Sequence, residues 1–215
     1  MESHYDQFAQ NFSQTRQHGW PEFEKIAPLL KKHQRVLDLG CGNGRLRNFL
    51  PTDIIPQGFY HGFDLSKNML RIAQESFPYD HFFQGSFANP LPFGSENFDL
   101  VISIAAFHHL LKPTEQTQCL SELFRITKPG GKVFLTTWKI PKKYRQYNWN
   151  RKDWWLSGFK NYLVPFGKDK HPRYYRTVPG KTLAKKMKNA GFKIISHQLF
   201  RGKNWIVIAE KPKNN

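Results

Sequence analysis

The segment RVLDLGCGNGRL, residues 35–46, limits the fold more than any other part of the chain. An apolar run with a single acid, Asp38, leads straight into glycines at 40, 42 and 44. A strand of 35–40 that ends in glycine and reopens as a helix over 43–50 is the first turn of an alternating α/β unit. Glycine permits the tight turn and lets backbone come close to a ligand.

The rest of the chain continues the alternation. An amphipathic helix is expected over 20–32, with Pro21 in its first turn. A second strand spans 59–65, and Ser66 caps a helix that runs through Ser76. A short third strand covers 81–85. The run FDLVISIA, 98–105, is apolar and rich in β-branched residues, as in a strand buried on both faces. A helix over 114–127, stopped by KPGG, leads to a fifth strand at 132–138. After a helix over 181–189, ended by Gly191, two strands joined by RGK close the chain as a hairpin. The pattern predicts a single α/β domain over 1–215: a doubly wound, seven-stranded sheet with an antiparallel C-terminal hairpin strand.

Composition narrows the partners. The 215 residues carry a formal net charge of +17, which points to a polyanion, usually nucleic acid. The start, MESHYDQFAQNF, has no apolar core of a secretory leader, and no run approaches a membrane span of ~20 residues. Two cysteines, Cys41 and Cys119, cannot build a disulfide framework or a Cys-rich zinc site. A cytoplasmic, metal-free protein that does not engage membranes is expected. One segment breaks the alternation. Residues 139–176 hold seven Lys and four Arg against two Asp, +9 of the total charge, with ten aromatics among them. A connection this long is usually functional or disordered, and its aromatic content argues against disorder.

Two acids narrow the ligand of the glycine loop. Asp38 beside the loop would repel a pyrophosphate but suits a cationic amino group. Asp64 ends the second strand ~20 residues on, where an acid can hydrogen-bond ribose hydroxyls. An amino acid joined to a nucleoside satisfies both, and S-adenosylmethionine is such a molecule. The motifs VLDLGCGNG, GFDLSKNML and LPFGSENFDLVISI resemble those of the class I S-adenosylmethionine methyltransferases, from about Val36 to Lys211. The resemblance implies the class I, Rossmann-like fold. It implies that Gly40, Gly42 and Gly44 cradle the methionine part, that Asp64 meets the ribose, and that Leu65 and Met69 lie near the adenine. Where families of this class often set an Asp against the adenine amine, this chain has Ser86, followed by Phe87. Asp38, Cys41, Arg45, Ser66, Ile104 and Ala105 complete the expected cofactor set.

The acceptor is read from what surrounds the methyl. Neither cysteine follows a PC loop of the kind used at pyrimidine carbons. The turn after the fourth strand reads IAAFHHL instead of an NPPY type. A carboxylate acceptor needs no base, being ionised near pH 7, but needs cations to hold it. The stretches FSQTRQHGWP, SIAAFHHL, YLVPF, RYYRTV and NWIVIAEK are similar to the eukaryotic-type tRNA wobble-uridine carboxymethyl methyltransferases. That resemblance implies a tRNA anticodon loop as substrate and methyl esterification of 5-carboxymethyluridine or a related uridine. It places Arg16, Trp20, His108, His109, Arg173, Tyr174 and Tyr175 around the acceptor, with Arg16 on either the substrate's or the cofactor's carboxylate. It also implies a small zinc-binding activator protein over an apolar sheet edge, for which the adjacent Phe82 and Phe83 of HFFQ are candidates. After RYY, where the family commonly shows His, this chain has Arg176. Two other readings stay open at this level: a small-molecule O-methyltransferase of the same fold, and a non-catalytic RNA- or protein-binding relative.

Overall fold

The computed structural model describes Asp6, Ser13 and residues 20–166 and 171–213. Seven strands form one sheet: β1 (Val36–Leu39), β2 (Tyr60–Asp64), β3 (His81–Gln84), β4 (Phe98–Ser103), β5 (Thr127–Trp138), β8 (Lys193–Phe200) and β9 (Asn204–Glu210), in the order β3-β2-β1-β4-β5-β9-β8. The first five pair in parallel, and β9 runs antiparallel between β5 and β8. From β1 the chain winds out through β2 to β3, then crosses back to β4 on the other side of β1. The connections leaving β1 and β4 therefore diverge, and a crevice opens at their C-terminal ends.

All four residues of β1 are buried. Val36 joins a layer with Ile26, Tyr60, Leu100, Ile102 and Phe134. Leu37 and Leu39 join the opposite layer with Phe63, Val101, Leu135 and Leu123. Successive side chains alternate between the faces, so a strand covered on both sides must be apolar throughout, apart from residues with a task. The helices α3 (Pro113–Ile126) and α5 (Gly180–Asn189) cover the second layer with Leu120, Ile126, Leu183 and Met187. The helix α2 (Lys67–Ser76) starts as expected: the Ser66 hydroxyl accepts from the Met69 N–H at 3.2 Å.

Three elements depart from the pattern. In place of one helix over 20–32 there is a single turn, α1 (Phe23–Ile26), then a 3-10 turn at Ala27–Leu29. Pro28 has no N–H to donate, and its ring crowds the preceding turn. The helix expected over 43–50 is a 3-10 segment, Arg45–Phe49, because Gly44 sits in the left-handed region at φ 73. The strand expected from Lys132 begins at Thr127. Its glycines are used by the chain's far end: Gly130 N–H donates to Lys211 O at 2.8 Å, and Lys211 N–H to Gly131 O at 3.0 Å.

The basic aromatic segment is folded. It holds a 3-10 turn (Lys142–Tyr147), a short helix α4 (Lys152–Leu156) and a hairpin of β6 (Asn161–Phe166) and β7 (His171–Arg176). Trp154, Tyr162, Val164 and Tyr175 form a core of their own, against which Trp138, Ile140 and Tyr144 pack. The buried Asn148 ties the pieces together. Its amide donates to Tyr144 O and Leu163 O, and its oxygen accepts from the Leu163 N–H at 2.7 Å.

Candidate active site

The glycine loop occupies the crevice at the end of β1. Gly40 has φ +80, and a Cβ there would lie 2.2 Å from Ala106 Cβ in the loop after β4. Only glycine fits on both grounds. Gly42, at φ +54, faces open space: a Cβ there would meet nothing within 4 Å. The loop's donors are spent inside the protein. Gly40 and Cys41 N–H groups both reach Phe63 O, Gly42 N–H donates to Asp64 Oδ2 at 2.8 Å, and Gly44 N–H to Cys41 O. A loop that has committed these donors is not a nest for pyrophosphate, which needs them aimed outward. The other Asp64 oxygen accepts from Ser66 N–H at 2.9 Å. With the Leu65 N–H also on this carboxylate, three of its roughly four lone-pair sites are engaged and capacity is left for a ribose hydroxyl. Burial raises the pKa of Asp64, and the N–H groups of Ser66 and Gly42 oppose that shift.

Asp38 lies beneath the loop, buried, and accepts from the Tyr60 hydroxyl at 2.6 Å. Burial pushes its carboxyl up to about 7, Tyr60 pulls it back, Asp64 adds to the rise and Arg45 opposes it. Asp38 therefore sits near the point where a cation would ionise it. Cys41 is buried beside both acids, which together with desolvation hold its thiol well above its ordinary value. It carries no thiolate and acts as a small residue in a tight loop. The Arg45 guanidinium stacks 3.6 Å over the Trp20 ring. Two residues near the N-terminus reach the loops: Ser66 Oγ donates to Asp6 Oδ1 at 2.6 Å, and Asn43 Nδ2 to Ser13 Oγ at 2.7 Å.

Around the rest of the cleft, Met69 and Ile104 are buried and Leu65 is half-buried. Phe87 presents a ring carbon 3.9 Å from the Gly40 Cβ position. The Ser86 hydroxyl accepts from Ala88 N–H at 3.3 Å within its own turn. Ala105 takes φ 55, and its N–H donates to Thr136 Oγ1 at 2.9 Å.

The turn after β4 carries the histidines, and β7 of the insert covers them. His108 is buried, and its Nδ1 accepts from the Trp138 N–H at 3.2 Å. His109 meets Tyr174 O through Nδ1 at 2.9 Å, which makes Nδ1 the protonated nitrogen. Tyr175 packs against both rings, with centroids 4.8 and 4.6 Å away. The Arg173 guanidinium lies 5.4 Å over the Tyr175 ring. Burial pushes both histidines down, with help from the charge of Arg173. His109 falls to about 4, despite the opposing bond to Tyr174, and His108 falls well below its usual range. Both are neutral near pH 7. This wall repels protons and holds a cation.

The structure thus brings His108, His109, Arg173, Tyr174 and Tyr175 together, and separately gathers Asp38, the glycines and Asp64 at the sheet's crevice. Tyr175, 4% exposed, is also part of the insert's core. Arg176 points elsewhere, donating to Leu111 O and Asn161 Oδ1. Arg16 lies outside the described residues. Sequence reasoning missed Tyr60, Thr136 and Trp138. Tyr60 had a signal: its partner on β1 is Val36, so its hydroxyl extends toward Asp38 on the same face. The other two act through neighbours remote in sequence and left no local trace.

A methyltransferase-domain family model matches residues 36–131. A tRNA (carboxymethyluridine(34)-5-O)-methyltransferase from Arabidopsis thaliana is 35% identical over 62% of this chain and 31% of its own length. One from Schizosaccharomyces pombe is 29% identical over 96% of this chain and 94% of its own. The chain thus spans under a third of the plant relative but nearly all of the yeast one. Among solved structures, a methyltransferase from Methanosarcina mazei matches with a TM-score of 0.73 at 19% identity, over 91% of this chain and 99% of its own. A methyltransferase from Haloferax volcanii, solved with the Trm112 methyltransferase activator, matches at 0.69 and 17%, over 99% and 97%. Strand order, a glycine cradle that rejects pyrophosphate, an acid placed for ribose and the matched domain model converge: the chain belongs to the class I S-adenosylmethionine-dependent methyltransferases.

Proposed function

We propose that the chain methyl-esterifies a carboxylate on the wobble uridine of tRNA, 5-carboxymethyluridine or a close relative. S-adenosylmethionine, bound by Asp38, Gly40, Gly42 and Asp64, supplies a methyl already activated on a sulfonium. The protein's task is to orient the acceptor and exclude water. The observation that carries the reading is the wall built by His108, His109 and Arg173. Burial and the charge of Arg173 make both imidazoles weak bases, and each has Nδ1 engaged by backbone, so the wall offers a cation more readily than a general base. An acceptor already ionised needs no base, and a guanidinium can hold its carboxylate. Arg173, with Arg16, fills that role.

The relatives' names and the basic insert support tRNA as the substrate, and with it a cytoplasmic setting. A small-molecule reading leaves an insert of +9 without a task, and a non-catalytic one leaves the cradle unexplained. Among the described residues no helix is long and apolar enough to cross a membrane. Incubating bulk tRNA with enzyme and labelled cofactor, then identifying wobble nucleosides by mass spectrometry, tests the reading. Label in a methyl ester of carboxymethyluridine supports it; label elsewhere refutes it.

An activator subunit has a place to dock. β3 is a sheet edge, and Phe83 on it is 37% exposed with Tyr79, 68% exposed, just before it. Co-expression with an activator of the Trm112 kind should raise soluble yield and turnover. Full activity from the lone chain would remove the partner.

A further inference from the structure

Three exposed aromatic rings of the insert cluster together. Trp149 is 61% exposed, Trp155 47% and Phe159 47%. Trp155 lies between the other two, 5.3 Å from Trp149 and 5.0 Å from Phe159 between centroids. They are held in place. The Trp155 indole N–H donates to Trp149 O at 2.7 Å. The buried Trp154 lies beneath all three, at 6.2, 6.0 and 4.9 Å. Exposed apolar rings this close together mark a surface that meets a partner.

Charge chooses the partner. Residues 139–166 hold five Lys and two Arg against one Asp. That Asp153 is already engaged by Arg151. Lys142, Lys143, Arg145, Lys152 and Lys160 are exposed on the same folded segment. A protein interface depletes lysine at its centre, whereas RNA loops are gripped by cations on phosphates and rings on unpaired bases. The same folded unit carries Arg173 and Tyr174 to the acceptor wall, and Arg151 bridges the two, its guanidinium 5.2 Å over the Tyr174 ring.

Building on the tRNA reading above, we propose that Trp149, Trp155 and Phe159 form a stacking platform for unpaired nucleotides that flank the target base, with the segment's lysines on their phosphates. Duplex RNA hides its base faces, so the platform selects loops.

The test compares an anticodon stem-loop RNA with a fully paired duplex of the same length, by anisotropy of labelled RNA at fixed salt. Trp149→Ala with Trp155→Ala should weaken stem-loop binding about ten- to a hundredfold and leave duplex binding unchanged. Replacing both with Phe should restore most of the loss. Near-ultraviolet circular dichroism of the remaining tryptophans, the buried Trp154 among them, reports whether the insert is folded, and calorimetry with S-adenosylhomocysteine whether the cradle is. In the unaltered protein, the stem-loop should quench tryptophan emission and the duplex should not. Undiminished stem-loop affinity, equal losses on both RNAs, or equal quenching would overturn the platform. Failure of the wobble-ester assay with the unaltered enzyme would instead remove the tRNA reading, and a stem-loop preference lost in the alanine variant would still stand.

Discussion

The cofactor cradle and the insert are built on opposite principles. Backbone defines the cradle: its N–H groups are committed to Phe63 O and Asp64, and Gly40 leaves no room for one added carbon. Side chains define the insert: rings around Trp154, and an amide, Asn148, that ties the 3-10 turn to the β6–β7 hairpin. The cradle is therefore rigid in register, while the insert can change its surface and keep its core. A methyltransferase fold can in this way carry a separately built insert. If that division is real, each region can be broken without the other.

The largest break is Trp154→Ala. Emptying the centre of so small a core costs ~3–5 kcal/mol, more than a module of this size can spare. Transfer to bulk tRNA should vanish while calorimetric affinity for S-adenosylhomocysteine stays within about twofold of wild type. Loss of both together would show that the insert and the cradle fold as one. The mirror experiment is Gly40→Ala. Its Cβ would strike Ala106, costing ~1–3 kcal/mol for overpacking, with ~1–2 kcal/mol more for the left-handed backbone. Cofactor binding should be lost and stem-loop RNA binding kept.

The same division explains what could be read from the sequence. VLDLGCGNG is legible because strand, glycine spacing and acid all serve one local geometry; the strands, their order class and the Ser66 cap followed from the same logic. Helix boundaries failed where one residue decided them, at Pro28 and at Gly44. In the insert, composition pointed to a polyanion but to no structure. Its hairpin pairs Tyr162 with Tyr175 and Val164 with Arg173, and nothing local to either strand sets that register. His108 and His109 stood out as a pair. Their neutral state depends on burial under β7, some 65 residues away, which no local pattern encodes.

Arg173→Ala probes the seam between the regions. Removing a charge-assisted hydrogen bond to an anionic acceptor costs about 1.5–3 kcal/mol, or roughly ten- to a hundredfold in kcat/KM. Lysine should recover part of it, having the charge without the fork. Cofactor affinity should not move. Steady-state kinetics on carboxymethylated tRNA checks this, and a wild-type kcat/KM from the alanine variant would take Arg173 out of substrate orientation.

The smallest effect is a proton. Asp38 is pushed up to about 7 in the folded protein, chiefly by burial. A carboxyl raised above its unfolded value favours the fold while protonated, so its contribution is complete below about pH 4 and is lost as pH rises through about 7. Ligand binding runs the other way. An ammonium placed near Asp38 favours the carboxylate, so binding below about pH 7 must expel a proton. Affinity for S-adenosylhomocysteine should then rise with pH between about 6 and 7.5, by less than tenfold per unit, and level off above. Asp38→Asn has no proton to lose, so its affinity should be lower and flat across that range. Calorimetry in two buffers of different ionisation enthalpy counts the proton directly. A flat wild-type profile would mean that the amino group is held elsewhere, and that Asp38 serves the cradle only through Tyr60.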